Sequence, residues 1–258
     1  ASGALAATGA WVKVWPLLVL AALRRRDLPR GVAGALTASA VIAGVLVVTS
    51  EDPLSFLGGQ RDRGLQIESL AAWPFLIARL FGAPVEVVYR YGAHEVDASG
   101  VDMVARSVIV LTLLLLGVVA VQRLRGALDA VSGADVALAT VLFTVATSRV
   151  FSGQYFIWLL ALAAVTLGDP ASRMRRTTVL LIAAGLATHL VYPWLYSALL
   201  DGNPVAVAVQ TVRVGLTAAA TVCALAVLLR PAGSAGQVSA SGRASGSPPS
   251  SITRNRCA

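Results

Sequence analysis

Apolar residues run along this chain in long blocks rather than in alternation, and short polar or basic clusters separate the blocks. Seven blocks stand out: Ala4 to Leu23, Gly31 to Thr49, Met103 to Val121, Ala134 to Ser148, Tyr155 to Leu167, Thr177 to Leu200 and Val205 to Leu229. Most approach the roughly 20 residues that an α-helix needs to cross about 30 Å of hydrocarbon. The pattern predicts an all-α fold, a polytopic integral membrane bundle of about seven transmembrane helices over residues 1–230. The fourth and fifth blocks are short for a crossing. Fused, they would be far too long and would carry the polar stretch Arg149 to Gln154 at their centre, so they read as two helices joined by a recessed turn.

Loop charge sets the orientation, because cytoplasmic loops carry an excess of Lys and Arg. In the seven-helix reading the clusters Arg24/Arg25/Arg26/Arg30, Arg123/Arg125 and Arg173/Arg175/Arg176 share a side with the tail. That side is the cytoplasm, the N-terminus is extracytoplasmic and the C-terminus is cytoplasmic. The opposite side receives one large loop, Ser50 to Asp102, holding eight of the chain's 13 acids. Loops of that length are usually functional. Within it, Leu65 to Phe81 is apolar with Pro74 inside, and predicts a kinked helix lying at the membrane surface. Residues 231–258 are Gly, Ser, Ala and Pro with scattered arginines, and predict a disordered cytoplasmic tail.

Composition sharpens this picture. Of 258 residues 57% are hydrophobic and 13% charged, about half the charge of an ordinary soluble domain. The net charge of +8 sits in short clusters between apolar blocks rather than in a stripe on a polar helix, which argues against a nucleic-acid partner. Two cysteines, Cys223 and Cys257, without a C-x-x-C, support neither a disulfide framework nor a thiolate metal site. No metal-ligand cluster, Walker loop, G-x-S-x-G or H-E-x-x-H occurs, so soluble-enzyme chemistry is unsupported and no cofactor is expected, while metal dependence stays open. The first apolar block precedes its basic cluster, the reverse of a signal peptide. It is expected to be retained, and its abrupt start suggests a C-terminal part of a longer protein.

Few polar residues interrupt the apolar blocks. Lys13 is the only lysine, set in W-V-K-V-W-P. A charge at that depth must pair, face a wet cavity or snorkel. It either snorkels beside Trp11 and Trp15 or offers a compact cation to a phosphate. The string Arg61-Asp62-Arg63-Gly64-Leu65-Gln66-Ile67-Glu68-Ser69 packs guanidinium, carboxylate and amide groups that suit phosphate and sugar hydroxyls. Its alternative is a solvated loop start with Asp62 capping a helix. Arg149, in S-R-V-F-S-G-Q-Y with Gln154, sits between the two short helices and faces either the interior or the outer surface. His189, mid-way along the sixth block, and the loop residue His94 read more simply as satisfied contacts. Arg106 reads as an interface anchor and Arg213, inside the last block, as a residue paired within the bundle.

Three strings together resemble glycosyltransferase family 87, the polyprenol-phosphate-sugar-dependent membrane mannosyltransferases of actinobacteria. They are K-V-W-P at Lys13 to Pro16, R-G-L-Q-I-E-S at Arg63 to Ser69 and R-V-F-S-G-Q-Y-F-I-W-L at Arg149 to Leu159. The resemblance covers roughly residues 5–230. In the third string the family often has Lys or His at position 149 and Pro at position 153. The resemblance implies transfer of a sugar, mannose first, from a polyprenyl phosphate donor to a lipid, glycolipid or lipoglycan acceptor outside a bacterial plasma membrane. The family's general base lies in an earlier loop, so no residue here is assigned that role and this chain alone is expected to be inactive. Lys13, Arg63 and Arg149 become candidates for a clamp on the donor phosphate. Arg61, Gln66, Glu68, Gln154 and His189 become candidates for sugar and acceptor contacts. A transporter or flippase for an anionic or lipid-linked substrate is the alternative, followed by a membrane anchor without chemistry.

Overall fold

A computed structural model describes residues 2–13, 15–51 and 63–230. Arg61, Asp62 and the tail predicted over 231–258 lie outside the described residues. In chain order the helices are α1 (Ser2–Val12), α2 (Trp15–Leu18, continued by a 3₁₀ turn over Val19–Ala22), α3 (Leu28–Thr49), α4 (Trp73–Leu80), α5 (Val101–Leu124), α6 (Gly133–Ala146), α7 (Tyr155–Gly168), α8 (Arg175–His189), α9 (Tyr196–Leu200) and α10 (Pro204–Leu229). Between α3 and α5 lie the strands β1 (Leu65–Gln66), β2 (Glu86–Arg90) and β3 (Ala93–Asp97). The chain is a mostly helical membrane protein. Leu28–Thr49, Val101–Leu124, Arg175–Trp194 and Pro204–Leu229 are each long and apolar enough to cross a bilayer.

The core forms around α6. It is apolar on every side, and such a helix is stable only when enclosed. Val136, Leu138, Val141, Leu142 and Phe143 are fully buried, packed by α7, α10 and the 3₁₀ turn that follows α2. At 14 residues α6 is about 21 Å long, short of a full crossing, so the turn after Thr147 begins inside the bundle. A second apolar cluster, with Leu65, Ile67, Leu76, Val96 and Leu199, lies where the large loop meets α9 and the start of α10.

Two ends of the bundle are distinct. At one, Arg25 N donates to Asp129 Oδ1 (3.3 Å), Arg123 donates to the Ala21 carbonyl through Nε (3.0 Å) and Nη2 (2.6 Å), and Asp135 accepts from Arg173 N (2.8 Å). At the other, Gln66 N donates to Arg149 O (3.0 Å) and Arg79 Nη1 to Leu200 O (2.7 Å). The basic clusters therefore gather at one end, and the large loop with its two neighbouring turns at the other.

Five expectations need correction. Ala4 to Leu23 is not one helix: Pro16 has no N–H to give the Val12 carbonyl, α1 stops at Val12 and the chain bends enough to place Pro16 against Gly9. The N-terminus accordingly lies on the same end as Arg24 to Arg30, not on the opposite side as expected, because Gly3 packs directly against the Gly31 carbonyl, leaving no room for a Cβ. Such backbone contact between α1 and α3 is the small-residue packing that lets helices associate in lipid. Leu65 to Phe81 is not a kinked helix either. It is a short strand, a 3₁₀ turn and α4, with Pro74 in the first turn of α4, where a missing N–H costs nothing. The fold is not purely α, since β1, β3 and β2 form an antiparallel sheet in that order. Finally, His189 ends α8 rather than lying mid-helix. Beyond it Tyr192 is extended (φ −123°, ψ 122°), the Tyr192–Pro193 peptide is cis, and the chain leaves helical geometry until α9.

Candidate functional site

The string R-G-L-Q-I-E-S is the part of the large loop that enters the bundle. Leu65 pairs with Val96 and Gln66 with Glu95, and Ile67 N donates to His94 O at 2.9 Å. On the opposite edge Gln66 N donates to Arg149 O. Two neighbours thus fix the main chain of the string, and Leu65 through Ser69 are all buried. Ser69 closes the insertion by accepting from Ala72 N (3.2 Å) at the start of the 3₁₀ turn. Non-helical backbone at this depth is tolerated only where protein supplies its hydrogen bonds.

Much of that supply comes from α10. Gln210, Arg213 and Thr217 lie at i, i+3 and i+7, on one buried stripe. Gln210 Nε2 (3.1 Å) and Arg213 Nη1 (3.0 Å) both donate to Glu68 O. Arg213 Nη1 also donates to Gln210 Oε1 (3.1 Å), and its Nε to Thr188 Oγ1 of α8 (3.0 Å). The Glu68 carboxylate lies 3.7 Å from Arg213 Nη1, and its Oε2 accepts from Gln66 Nε2 at 3.1 Å. Burial pushes the Glu68 carboxyl above the usual carboxylate range, while the Arg213 charge and the Gly153 amide pull it back. Two buried atoms of this cluster, Gln66 Oε1 and Arg213 Nη2, lack a hydrogen-bond partner among the described residues. The site therefore retains both acceptor and donor capacity.

A column of rings leads away from it. The Arg213 guanidinium lies 4.6 Å from the Phe151 ring centroid and 5.6 Å from that of Phe156. Phe151 stacks on Tyr155, Tyr155 on Trp158 (4.5 Å) and Trp158 on Trp15 (5.4 Å). At the far end Lys13 Nζ lies 5.1 Å from the Tyr155 ring centroid and 5.2 Å from that of Trp158, within cation–π range. Arg63 also lies within electrostatic reach of the Tyr155 hydroxyl. Arg149 Nη1 donates to Arg63 O at 2.8 Å. Three cations far apart in sequence thus gather around Tyr155 and the turn before it. Among the described residues neither Lys13 nor Arg63 has a carboxylate partner.

The candidates divide accordingly. Lys13, Arg63 and Arg149 share one neighbourhood, with Lys13 exposed and both arginines half-buried. Gln66 and Glu68 lie beneath them in the Arg213 cluster, at 5% and 3% exposure. Gln154 is exposed at the start of α7, and His189 is exposed on α8, on a different face from the inward Thr188. His94 Nδ1 lies 3.2 Å from the Tyr196 hydroxyl, its ring edge-on to Tyr89 and Tyr196. The sequence reading missed Gln210, Thr188 and the ring column, and left Arg213 as a paired residue without a role in a site. No protein-family model, curated protein or solved structure matches the chain.

Proposed function

We propose that this chain is part of a membrane glycosyltransferase that moves a sugar, mannose first, from a polyprenyl phosphate donor to a lipid or glycolipid acceptor. The observation that carries the reading is that Lys13 and Arg63 both approach Tyr155 while Arg149 hydrogen-bonds the Arg63 carbonyl, next to a buried polar cluster. Two of those cations lack a carboxylate partner among the described residues, as a site for an anionic group requires. In the reaction the bond from the sugar's anomeric carbon to the phosphate breaks, and a bond from that carbon to the acceptor oxygen forms. Phosphate leaves with the bonding pair. Cations fixed beside it stabilise the charge it gains. The acceptor's proton passes to a base that is assigned to no residue here. The large loop faces outward in this reading, with the basic clusters in the cytoplasm, and α4 lies along the outer surface.

The test is transfer of radiolabelled mannose from polyprenyl phosphate mannose in vesicles carrying the complete gene product. Arg63→Ala and Arg149→Ala should each lower transfer at least tenfold with folded protein undiminished, about the worth of one charge-assisted hydrogen bond. Wild-type rates in both variants would remove the clamp. One observation favours a transporter or flippase as the second reading: the helical path breaks at Lys13, between α6 and α7, and again at Leu190 to Trp194, and interrupted helices line many transport sites. Movement of a fluorescent polyprenyl phosphate between leaflets, with no sugar transfer from any polyprenyl phosphate sugar, would select it.

A further inference from the structure

Beside Arg63, on the outer side of the three-stranded sheet, is a groove of about 470 Å³, within the range of small-molecule sites. The sheet has two unlike faces. Leu65, Val96 and Val87 are register partners and turn one face into the apolar cluster under the loop. Side chains alternate, so Glu95, Asp97 and Arg90 fall on the other face, and they line the groove with Gly64, Tyr91 and Ser99. We propose that this groove binds a carbohydrate chain, the glycan part of the acceptor, and delivers it to the cations around Tyr155.

Three features point to a neutral polyhydroxyl ligand. The lining is mixed in charge: Arg90 donates, while Glu95, Asp97 and Asp102 accept, so a phosphate would meet more negative than positive groups. The carboxylates do not form a cation site, because among the described residues no three His, Cys, Asp or Glu side chains stand close enough to hold a metal. Glu95 is 3% exposed; its Oε2 accepts from Gly64 N at 3.1 Å, while its Oε1 is buried without a hydrogen-bond partner among the described residues. An unused buried acceptor in a groove is what a sugar hydroxyl would satisfy. Gly64 is part of this arrangement, since a Cβ there would sit 3.0 Å from Glu95 Oε2.

Tyr91 supplies the apolar surface a sugar ring needs. It occupies the two-residue turn between β2 and β3 with φ +52°, followed by Gly92 at φ +76°. Such turns favour Asn or Gly at the first position, and a bulky residue held there marks a place where function opposes backbone preference. The residue is 47% exposed. Its carbonyl accepts from Arg63 Nη2 at 3.0 Å, which joins the groove directly to the proposed phosphate clamp. Arg90 and Asp97 are paired at 2.9 Å, with side chains 57% and 47% exposed. A pair so solvated holds little energy and can open onto a ligand.

The inference names the acceptor class of the proposed transferase and rests on that reading, but its test needs no donor and no turnover. The purified full chain in nanodiscs is titrated with α-linked mannotetraose, an arabinofuranosyl tetramer and maltotetraose, with binding read by saturation-transfer NMR. Binding of the first or second is expected, weakened at least tenfold by Tyr91→Gly and by Arg90→Ala. Tyr91→Gly relieves the turn, so its melting temperature should match or exceed that of wild type, and lost binding cannot then be lost fold. No binding by wild type to any of the three, or undiminished binding in both variants, overturns the groove. Tyr91-dependent glycan binding in a protein that transfers no sugar keeps the groove and removes the enzyme. Sugar transfer without Tyr91-dependent binding does the reverse.

Discussion

Replacing Arg213 by Met should be among the most damaging single changes in this protein. The Arg213 side chain is 1% exposed and that of Glu68 3%, so neither charge is discounted by solvent. Arg213→Met strips the donors from Thr188 Oγ1 and Gln210 Oε1 and one of two from Glu68 O. It also leaves the Glu68 carboxylate buried without its cation. Removing one member of a buried pair costs about 3–5 kcal/mol, and for a chain of this size that lowers the midpoint by on the order of 10 °C. Glu68→Gln should be similarly harmful, because it isolates the guanidinium instead. The double variant removes both charges, so it should be more stable than the sum of the singles by roughly 2 kcal/mol or more. Unfolding of purified protein in mixed micelles, followed by tryptophan fluorescence, measures all four corners of the cycle. Singles within about 1 kcal/mol of wild type, or additivity within about 0.5 kcal/mol, would refute the pair as the anchor of the inserted loop. Because the pair holds the string that carries Arg63, Arg213→Met should also lower transfer in whatever folded protein remains.

Two further outcomes follow from packing and capping. Gly3→Val places methyl groups where the Gly31 carbonyl already stands; it should separate α1 from α3, read as loss of a disulfide between cysteines placed at Ala7 and Ala35, which a retained crosslink would contradict. Ser132 Oγ accepts from Ala134 N (3.1 Å) and donates to Asp169 Oδ2, and that bond holds the Asp169 carboxyl below its usual range. A depressed acid stabilises the fold above its unfolded pKa, near 3.8, and loses that contribution as pH falls through the lower folded value. Ser132→Ala should therefore raise the Asp169 pKa towards 3.8, seen by carboxyl-carbon NMR; an unmoved titration would show that the hydroxyl does not set it.

What the sequence disclosed and what it hid follow from range. The apolar blocks are local, and they located Leu28–Thr49, Val101–Leu124 and Pro204–Leu229 to within three residues at each end. Pro16 and Pro193 were legible as breakers, yet block length outweighed them, and two expected continuous helices are interrupted there. The hairpin was legible too: Glu86 to Arg90 and Ala93 to Asp97 are short runs around a two-residue x-Gly turn. Hydropathy averaged over a membrane-sized window erased that signal. Gln210, Arg213 and Thr217 at helical spacing were a polar stripe in plain view, and an ionisable residue inside an apolar helix points to a site by default. Its partner was not recoverable, because Glu68 lies 145 residues away, in a string read either as a ligand-binding loop or as a solvated helix start. Nor could spacing reveal that α6 stops short inside the bundle and so lets the loop descend to meet α10. The chemistry-bearing strings were therefore found from residue type, while their depth was set by helix length, and depth decides which of them are exposed. Arg63 and Arg149 remain half-buried beside Lys13 at the mouth, whereas Gln66 and Glu68 are sealed beneath them by Arg213. Variants at the two levels should accordingly separate: those at the mouth change turnover or binding while the fold persists, and those below it change both.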